Sequence, residues 1–285
     1  MTRRTVNIDE ATVLGFGEEW ASFTQEELGA AEQRRLFEQY FSIFPFGQLP
    51  PGAEGFDLGC GTGRWAELAA ARVGHLHCID PATKALAVAR ERLKDVANVT
   101  LHECGVDDIP FADNSQDFGY SLGVLHHIPD TEAAMATCVR KLKPGAPFLV
   151  YIYYAFDNRP GWYRALWRAS ELGRGAISRM PFAAKKAVTS AIATFVYWPL
   201  ARTASVLESA GANVRNVPLA EYRHHSFYTM RTDALDRFGT RLEQRFSKDE
   251  IDELMRRCGL EDVSFREGPP YWVACGRKAG RQSGT

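Results

Sequence analysis

From Glu54 onward, short apolar runs alternate with stretches whose apolar residues recur at helical spacing, the pattern of strands joined by crossover helices. Residues 55–58, 76–80, 99–103, 118–122 and 147–154 are predicted strands. The helices between them are predicted at 64–72, 83–93 and 131–142, the last stopped by Lys143-Pro144-Gly145. Five strands in βα alternation predict an α/β fold with a doubly wound, mainly parallel sheet.

The end of the chain returns to this layout. Ser247-Lys248-Asp249-Glu250 has the form of a capping box, opening a helix that runs to about Cys258, where Gly259 closes it. Strands at 262–266 and 271–276 follow, joined through Gly268-Pro269-Pro270, and this hairpin sets the last strand antiparallel. Two segments escape the alternation. Residues 1–53 hold one amphipathic helix, at about 25–41, preceded by the aromatic, irregular stretch Phe16-Gly17-Glu18-Glu19-Trp20. Residues 158–246 read as two or three helices followed by an irregular stretch around 218–228. Connections are mostly under about 12 residues, so this insertion is expected to be a cap over an active site. The domain reading is an N-terminal segment 1–53, a core of 54–157 with 247–277, the insertion 158–246, and a flexible polar tail 278–285.

Composition narrows the class. Of 285 residues, 45% are hydrophobic and 24% charged, with 34 basic against 35 acidic side chains. A nucleic-acid-binding domain normally carries a basic surplus, so no nucleic-acid partner is expected. The length accommodates roughly one to two domains of about 150 residues. No two of the six cysteines form a CxxC pair, so no metal site is expected and the thiols read as reduced and buried. The first thirty residues lack the apolar run of a signal peptide, and the apolar stretch 188–201 carries Pro199 and falls short of the roughly 20 residues of a membrane span. A cytoplasmic protein without a transmembrane segment is expected. The near-neutral total is nonetheless a cancellation: residues 158–246 hold 14 basic and 6 acidic side chains, against 20 and 29 elsewhere. Arg159, Arg164, Arg168, Arg174 and Arg179 could form a basic stripe that binds the anionic core, an acidic acceptor or an anionic membrane surface.

The sharpest chemical signal is Phe56-Asp57-Leu58-Gly59-Cys60-Gly61-Thr62-Gly63-Arg64, between a predicted strand and a predicted helix. Glycines there let the backbone turn tightly and approach a ligand. A dinucleotide fingerprint, G-x-G-x-x-G, would need glycine at position 64, which is Arg64. Asp80 ends the next strand about 20 residues on, where a carboxylate can accept from ribose hydroxyls. Together these predict a nucleoside-type ligand.

With these motifs the chain resembles the class I S-adenosylmethionine-dependent methyltransferases, in particular the small-molecule type related to the ubiquinone and menaquinone biosynthesis enzymes. The resemblance runs over about 55–154 and 247–277, through residues 57–63, Ile79-Asp80, Asp108-Ile109-Pro110-Phe111, Gly123-Val124-Leu125-His126-His127 and Leu142-Lys143-Pro144-Gly145. It implies a seven-stranded sheet with the last strand antiparallel, S-adenosylmethionine as cofactor and a small-molecule acceptor. It also implies that Asp57, Gly59, Cys60, Gly61 and Gly63 line the methionine and ribose portions, that Asp80 holds the ribose hydroxyls, and that Pro81 and Leu122 complete the cofactor wall. Many relatives carry an acid on the adenine amino group where this chain has Gly105, so Asp107 or the backbone of Val106 would take that contact.

Methyl transfer is an in-line displacement in which the protein chiefly positions the acceptor. A base is useful for a hydroxyl or acidic carbon, and His126 and His127 follow the fourth strand at the ligand-binding edge, so a catalytic role, a ligand contact and a structural role are all open. In similar enzymes an N-terminal segment closes over the cofactor, which makes Phe16, Trp20 and Tyr40 candidate contacts, whereas Phe37 and Phe44 read as packing. Tyr153, Tyr154 and Asn158 offer a wall for an acidic or aromatic acceptor, with Trp162, Tyr163 and Trp167 beyond them. His225, Tyr228 and Arg231 stand in a polar stretch that either faces the acceptor or is a solvated loop. O- or N-methylation of a biosynthetic small molecule is the expected activity. Two rivals are another use of S-adenosylmethionine, such as cyclisation, and a nicotinamide-dependent oxidoreductase.

Overall fold

The computed structural model describes residues 7–25 and 27–280. Its centre is a seven-stranded sheet of β1 (Glu54–Leu58), β2 (His75–Ile79), β3 (Val99–His102), β4 (Phe118–Leu122), β5 (Pro147–Tyr151), β6 (Leu260–Phe265) and β7 (Val273–Lys278). The order is β3-β2-β1-β4-β5-β7-β6. β1 to β5 run parallel, and β7 lies antiparallel to both β5 and β6. The chain winds outward from β1 to β3 and then returns to the other side of β1 with β4. Ligand sites in doubly wound sheets open at this reversal, at the carboxyl ends of the strands.

Strands covered on both faces must be apolar throughout. Phe56, Leu76, Ile79, Phe118, Tyr120, Phe148 and Leu149 are accordingly buried, and α2 (Ala30–Phe41) adds Phe37 and Phe41. Phe37 stacks on Phe41 at 4.2 Å, and Phe41 meets Tyr120 edge-on at 5.0 Å, so this helical aromatic stripe is packing. The crossover helices near the site are α3 (Ala66–Ala70), α4 (Thr83–Arg92) and α5 (Thr131–Lys141), α5 being capped by the Asp130 carboxylate on the N–H of Ala133. The capping box at Ser247 is formed and opens α10 (Lys248–Arg257).

The structure corrects the sequence reading in several places. Phe16 and Trp20 do not lie in an irregular stretch: they belong to α1 (Glu10–Ser22), started by the Asp9 carboxylate accepting the Thr12 N–H at 2.7 Å. Glycines at 15 and 17 mask the helical pattern, and Gly17 faces the Cβ atoms of Ala82 and Lys84. The helix expected at 25–41 begins at Ala30, β5 stops at Tyr151 rather than 154, and Lys278 belongs to β7 with its ammonium on the Leu142 carbonyl, not to a loose tail. Residues 281–285 of the expected flexible tail lie outside the described residues.

The chain divides into two units. One holds the residues up to Ala21, Arg34–Ala155 and those from Leu242 on; the other holds Ser22–Gln33 and Phe156–Arg241. The second unit is helical: α6 (Gly161–Ile177), α7 (Phe182–Ile192), α8 (Trp198–Ser209) and α9 (Phe227–Gly239). A single π turn, Ala193–Tyr197, joins α7 to α8 where Pro199 would clash with the carbonyl four residues earlier. Ala193, Tyr197, Ala201, Met230 and Ala234 form its core. The irregular stretch expected to reach residue 228 ends earlier, because the Ser226 hydroxyl caps α9. Ser22–Gln33 is tied into this unit: the Tyr228 hydroxyl accepts the Gln25 N–H at 2.9 Å, and the Glu32 carboxylate accepts from Ser226 N–H and the Thr229 hydroxyl. The stretch 1–53 is therefore not one module. Among the described residues no helix is long and apolar enough to cross a membrane.

Candidate active site

β1 ends at Leu58 and the chain turns through Gly59, Gly61 and Gly63, all with left-handed backbone (φ +78°, +54° and +73°). The Gly59 and Cys60 N–H groups donate to the Ile79 carbonyl, fastening the turn to the end of β2. Gly59 also answers a close approach, since a Cβ there would lie 2.2 Å from the Val124 side chain. Trp20 of α1 covers the turn, its indole 3.5 Å from where a Gly61 Cβ would stand, and the Arg64 guanidinium lies over the rings of Trp65 and Trp20 at 4.3 and 5.8 Å.

Two acids sit beneath this turn. Asp80 accepts the N–H groups of Gly61 at 2.9 Å and Ala82 at 2.8 Å, which hold its carboxylate against the loop. Burial pushes its pKa up to about 6, with those two N–H groups pulling the other way. Asp57 is buried more completely, its pKa is pushed up to about 8 by burial with the charge of Asp80 adding to it, and the Tyr120 hydroxyl opposes the shift. Asp57 therefore holds its proton to higher pH than Asp80. The Asp57 Oδ2 atom is buried, and the Tyr120 hydroxyl is the polar side chain that acts on the acid.

Past β4, Gly123 and Val124 lead into a tight turn carrying His126 and His127, both buried. The His126 ring stacks on Tyr153 at 3.9 Å, and burial, with the nearby His127 and Arg245, drives its pKa well below the ordinary value, keeping it neutral. Its Nδ1 faces the Tyr153 N–H at 3.5 Å. His127 Nδ1 lies 2.6 Å from the Leu242 carbonyl, which only accepts, so Nδ1 carries a proton and Nε2 holds the lone pair of the neutral ring. Around this edge runs a chain of aromatic contacts: Trp65 to Tyr40 (5.3 Å), Tyr40 to Tyr151 (5.1 Å), Tyr151 to Tyr153 (5.7 Å), and His127 to Phe16 (4.9 Å).

The sequence reading missed the strip after Leu242, which it assigned to the insertion. Gln244 donates its backbone N–H to the His126 carbonyl and its amide to the Ile128 carbonyl and Thr131 hydroxyl, fixing the histidine turn from behind. Phe246 N–H donates to the Tyr153 carbonyl, and Tyr154 pairs with Phe246 in an isolated parallel bridge. Arg245 lies 5.1 Å above the Tyr153 ring and bonds the buried Glu243 carboxylate at 2.7 Å. Only the cluster Glu243-Gln244-Arg245 just before the capping box hinted at this. Trp65 was likewise missed.

The remaining candidates scatter. Val106 is buried in a short turn after β3, and Asp107 beside it accepts the Asn7 N–H at 2.7 Å. Pro81 and Leu122 are half-buried at the ends of β2 and β4. Asn158, His225, Tyr228 and Arg231 belong to the second unit. Tyr228 and Arg231 lie on α9, not in a loop, and Arg231 rests 5.4 Å over Phe23. The buried Asn158 Oδ1 has no hydrogen-bond partner among the described residues. Among the described residues no cluster of three or more His, Cys, Asp or Glu side chains could hold a metal ion.

Comparison with known proteins fits this geometry. Residues 56–150 match the family model described as methyltransferase domain. Phosphoethanolamine N-methyltransferase 2 of Caenorhabditis elegans is 36% identical over 111 residues, covering 38% of this chain and 25% of that protein. The demethylmenaquinone methyltransferase of Listeria welshimeri is 34% identical over 121 residues, 40% of this chain and 50% of that one. The ubiquinone biosynthesis O-methyltransferase of Hahella chejuensis is 34% identical over 111 residues, 38% and 45%. The chain thus spans half or less of the length of these relatives. In fold it is similar to the S-adenosylmethionine-dependent methyltransferase SibL (TM-score 0.52, 13% identical, 88% of this chain and 56% of that one). A Methanosarcina mazei methyltransferase is comparable (TM-score 0.50, 15% identical, 83% and 97%). On the sheet order, the glycine turn with its acid at the end of β2 and the matched segment, residues 56–150 are a methyltransferase domain.

Proposed function

We propose that the chain transfers the methyl group of S-adenosylmethionine to an oxygen or nitrogen of a small molecule. The observation that carries this reading is the pair of acids beneath the glycine turn. Asp80 is pre-set by two backbone N–H groups, as a ribose diol requires, and Asp57 is buried beside it with the Tyr120 hydroxyl as its polar side-chain neighbour. In this reading Asp80 and Pro81 hold the ribose and Asp57, Gly59, Cys60, Gly61 and Gly63 border the methionine end. Val106 and Asp107 meet the adenine, and Phe16, Trp20 and Leu122 close the walls. The cofactor supplies a methyl carbon made electrophilic by its sulfonium.

The chain's own residues then have three tasks. The aromatic edge, with Tyr40, Tyr153 and Tyr154, excludes water and orients the acceptor. His127 takes the acceptor's proton on Nε2, because the Leu242 carbonyl fixes the other nitrogen as donor, the arrangement a general base needs. His126, neutral and fully buried, positions that turn. The relatives are named for phosphoethanolamine, menaquinone and ubiquinone, which supports a small acceptor, acidic or aromatic.

The test is calorimetric titration with S-adenosylmethionine, followed by mass spectrometry of a metabolite mixture incubated with it. Binding, stoichiometric S-adenosylhomocysteine and a metabolite heavier by one methyl group are expected, with Asp80→Ala weakening cofactor binding at least tenfold, about 1.4 kcal/mol. Binding of NAD in place of S-adenosylmethionine would overturn the proposal, and so would turnover without methylated product. For the base, His127→Asn is expected to lower kcat by about a hundredfold with cofactor affinity little changed. An unaltered kcat and pH profile would remove His127 from the chemistry.

A further inference from the structure

The helices of the second unit are apolar on two sides. Their inward sides are accounted for: Tyr163 and Trp167 of α6 meet Phe156 at 5.5 and 5.4 Å, and Tyr197, Ala201 and Ala204 of the α7–α8 run enter the unit's own cores. A helix at a water-facing surface should be polar on its other side. Here α6 presents Trp162, Ala165, Leu166, Ala169, Leu172, Gly173 and Ala176, all exposed and recurring at intervals of three and four residues. Leu172 is 82% exposed. Along α7 and α8 the exposed positions include Ala184, Ala187, Ala191, Phe195, Trp198 and Val206, with Phe195 78% and Val206 66% exposed. Large apolar residues concentrated this way mark an interaction surface.

Charge says what covers it. Between Glu171 and Glu208 there is no acidic residue, whereas Arg174, Arg179, Lys185, Lys186 and Arg202 fall in that interval. On α6 the exposed Arg164 and Arg168 flank the apolar stripe and form no ion pair with a carboxylate among the described residues. A second protein surface would need to supply acids at matching places. A bilayer with anionic headgroups supplies diffuse negative charge above an apolar interior, and tryptophans such as Trp162 and Trp198 favour that boundary. We propose that the outward faces of α6 and of the α7–α8 run form a docking surface for an anionic lipid bilayer, with the exposed aromatic and aliphatic side chains entering the headgroup boundary and Arg164 and Arg168 meeting the headgroups. The surface lies within one unit and does not depend on the methyl-transfer reading.

The test is co-sedimentation of the whole chain with vesicles of phosphatidylcholine alone and of phosphatidylcholine with phosphatidylserine. Binding to the second kind only, weakening with added salt, is expected. Phe195→Ser with Trp198→Ser, and separately Trp162→Ser with Leu166→Ser, should each lower partitioning at least tenfold. Arg164→Gln with Arg168→Gln should lower it about fivefold per charge removed. Leu14→Ser, at an exposed leucine of α1 in the other unit, should leave it unchanged. Circular dichroism spectra matching the parent chain show that the variants are folded. Failure of the folded parent chain to bind anionic vesicles would overturn the proposal. Equal loss in the Leu14 variant would do so too, as would a concentration-dependent dimer in light scattering that the Phe195/Trp198 variant abolishes, since a second copy would then cover the face.

Discussion

Replacing Gly59 by alanine tests the geometry of the glycine turn most directly. The new Cβ would lie 2.2, 2.6 and 2.8 Å from the three carbons of the Val124 side chain, all inside contact distance, and the backbone at φ +78° disfavours any Cβ. The left-handed backbone costs about 1–2 kcal/mol, and relieving the overlap by shifting a β-branched side chain costs about 1–3 kcal/mol more. Gly59→Ala should therefore destabilise the chain by about 2–5 kcal/mol in urea unfolding followed by tryptophan fluorescence. The two terms separate in a double-mutant cycle. Val124→Ala removes two of the three carbons and the closest contact but keeps the Cβ at 2.8 Å, so the Gly59→Ala penalty measured in a Val124→Ala background should fall by about 1–2 kcal/mol and stay above the backbone term alone. Because the turn is fastened by its N–H groups to the Ile79 carbonyl, cofactor affinity should fall with it. A penalty under about 0.5 kcal/mol, or one unchanged by Val124→Ala, would refute the claim that close packing of β4's exit against this turn requires glycine.

Two other perturbations bear on the buried charges. Asp57 has its pKa raised from 3.8 to about 8 on folding, so the native state holds its proton more tightly than the unfolded chain, and that stabilisation is complete below pH 3.8 and lost as pH rises through about 8. Asp57→Asn should flatten the fall in stability across that window, as read from melting temperatures in a pH series; an unchanged slope would mean Asp57 is ionised throughout. Arg245→Met leaves the buried Glu243 carboxylate without its main cation and should cost about 3–5 kcal/mol, of which a second change, Glu243→Gln, should restore a part. If Arg245→Met alone is neutral, the pair does not hold the strip behind the histidine turn.

Much of the core was legible because its pattern is local. A βα turn written Asp57-x-Gly59-x-Gly61-x-Gly63 can do little but approach a ligand, and the apolar runs flanking it can only be strands covered on both faces. The capping box at Ser247 and Glu250 is likewise a four-residue signal and formed as read. What was misread shares one cause. The helix containing Phe16 and Trp20 is interrupted in its pattern by Gly15 and Gly17, and the second packs near Ala82 and Lys84, some 65 residues further on. The start of α9 at Phe227 depends on the Ser226 cap, with Glu32 also bonding Ser226 and Thr229 across nearly two hundred residues.

The candidate site divides along the same line. The sequence by itself determined which residue types gather at the carboxyl edge: the glycines, Asp57, Asp80, His126 and His127 sit at strand ends whatever the packing, because the βα alternation puts them there. Only the tertiary structure decided their states. Burial under the turn raised the pKa of both acids, and the Gly61 and Ala82 N–H groups pulled that of Asp80 back down. The Leu242 carbonyl set the proton of His127, and burial, with His127 and Arg245 nearby, kept His126 neutral. Protonation and orientation follow from dielectric surroundings and from partners more than a hundred residues away, neither of which is written at the position itself.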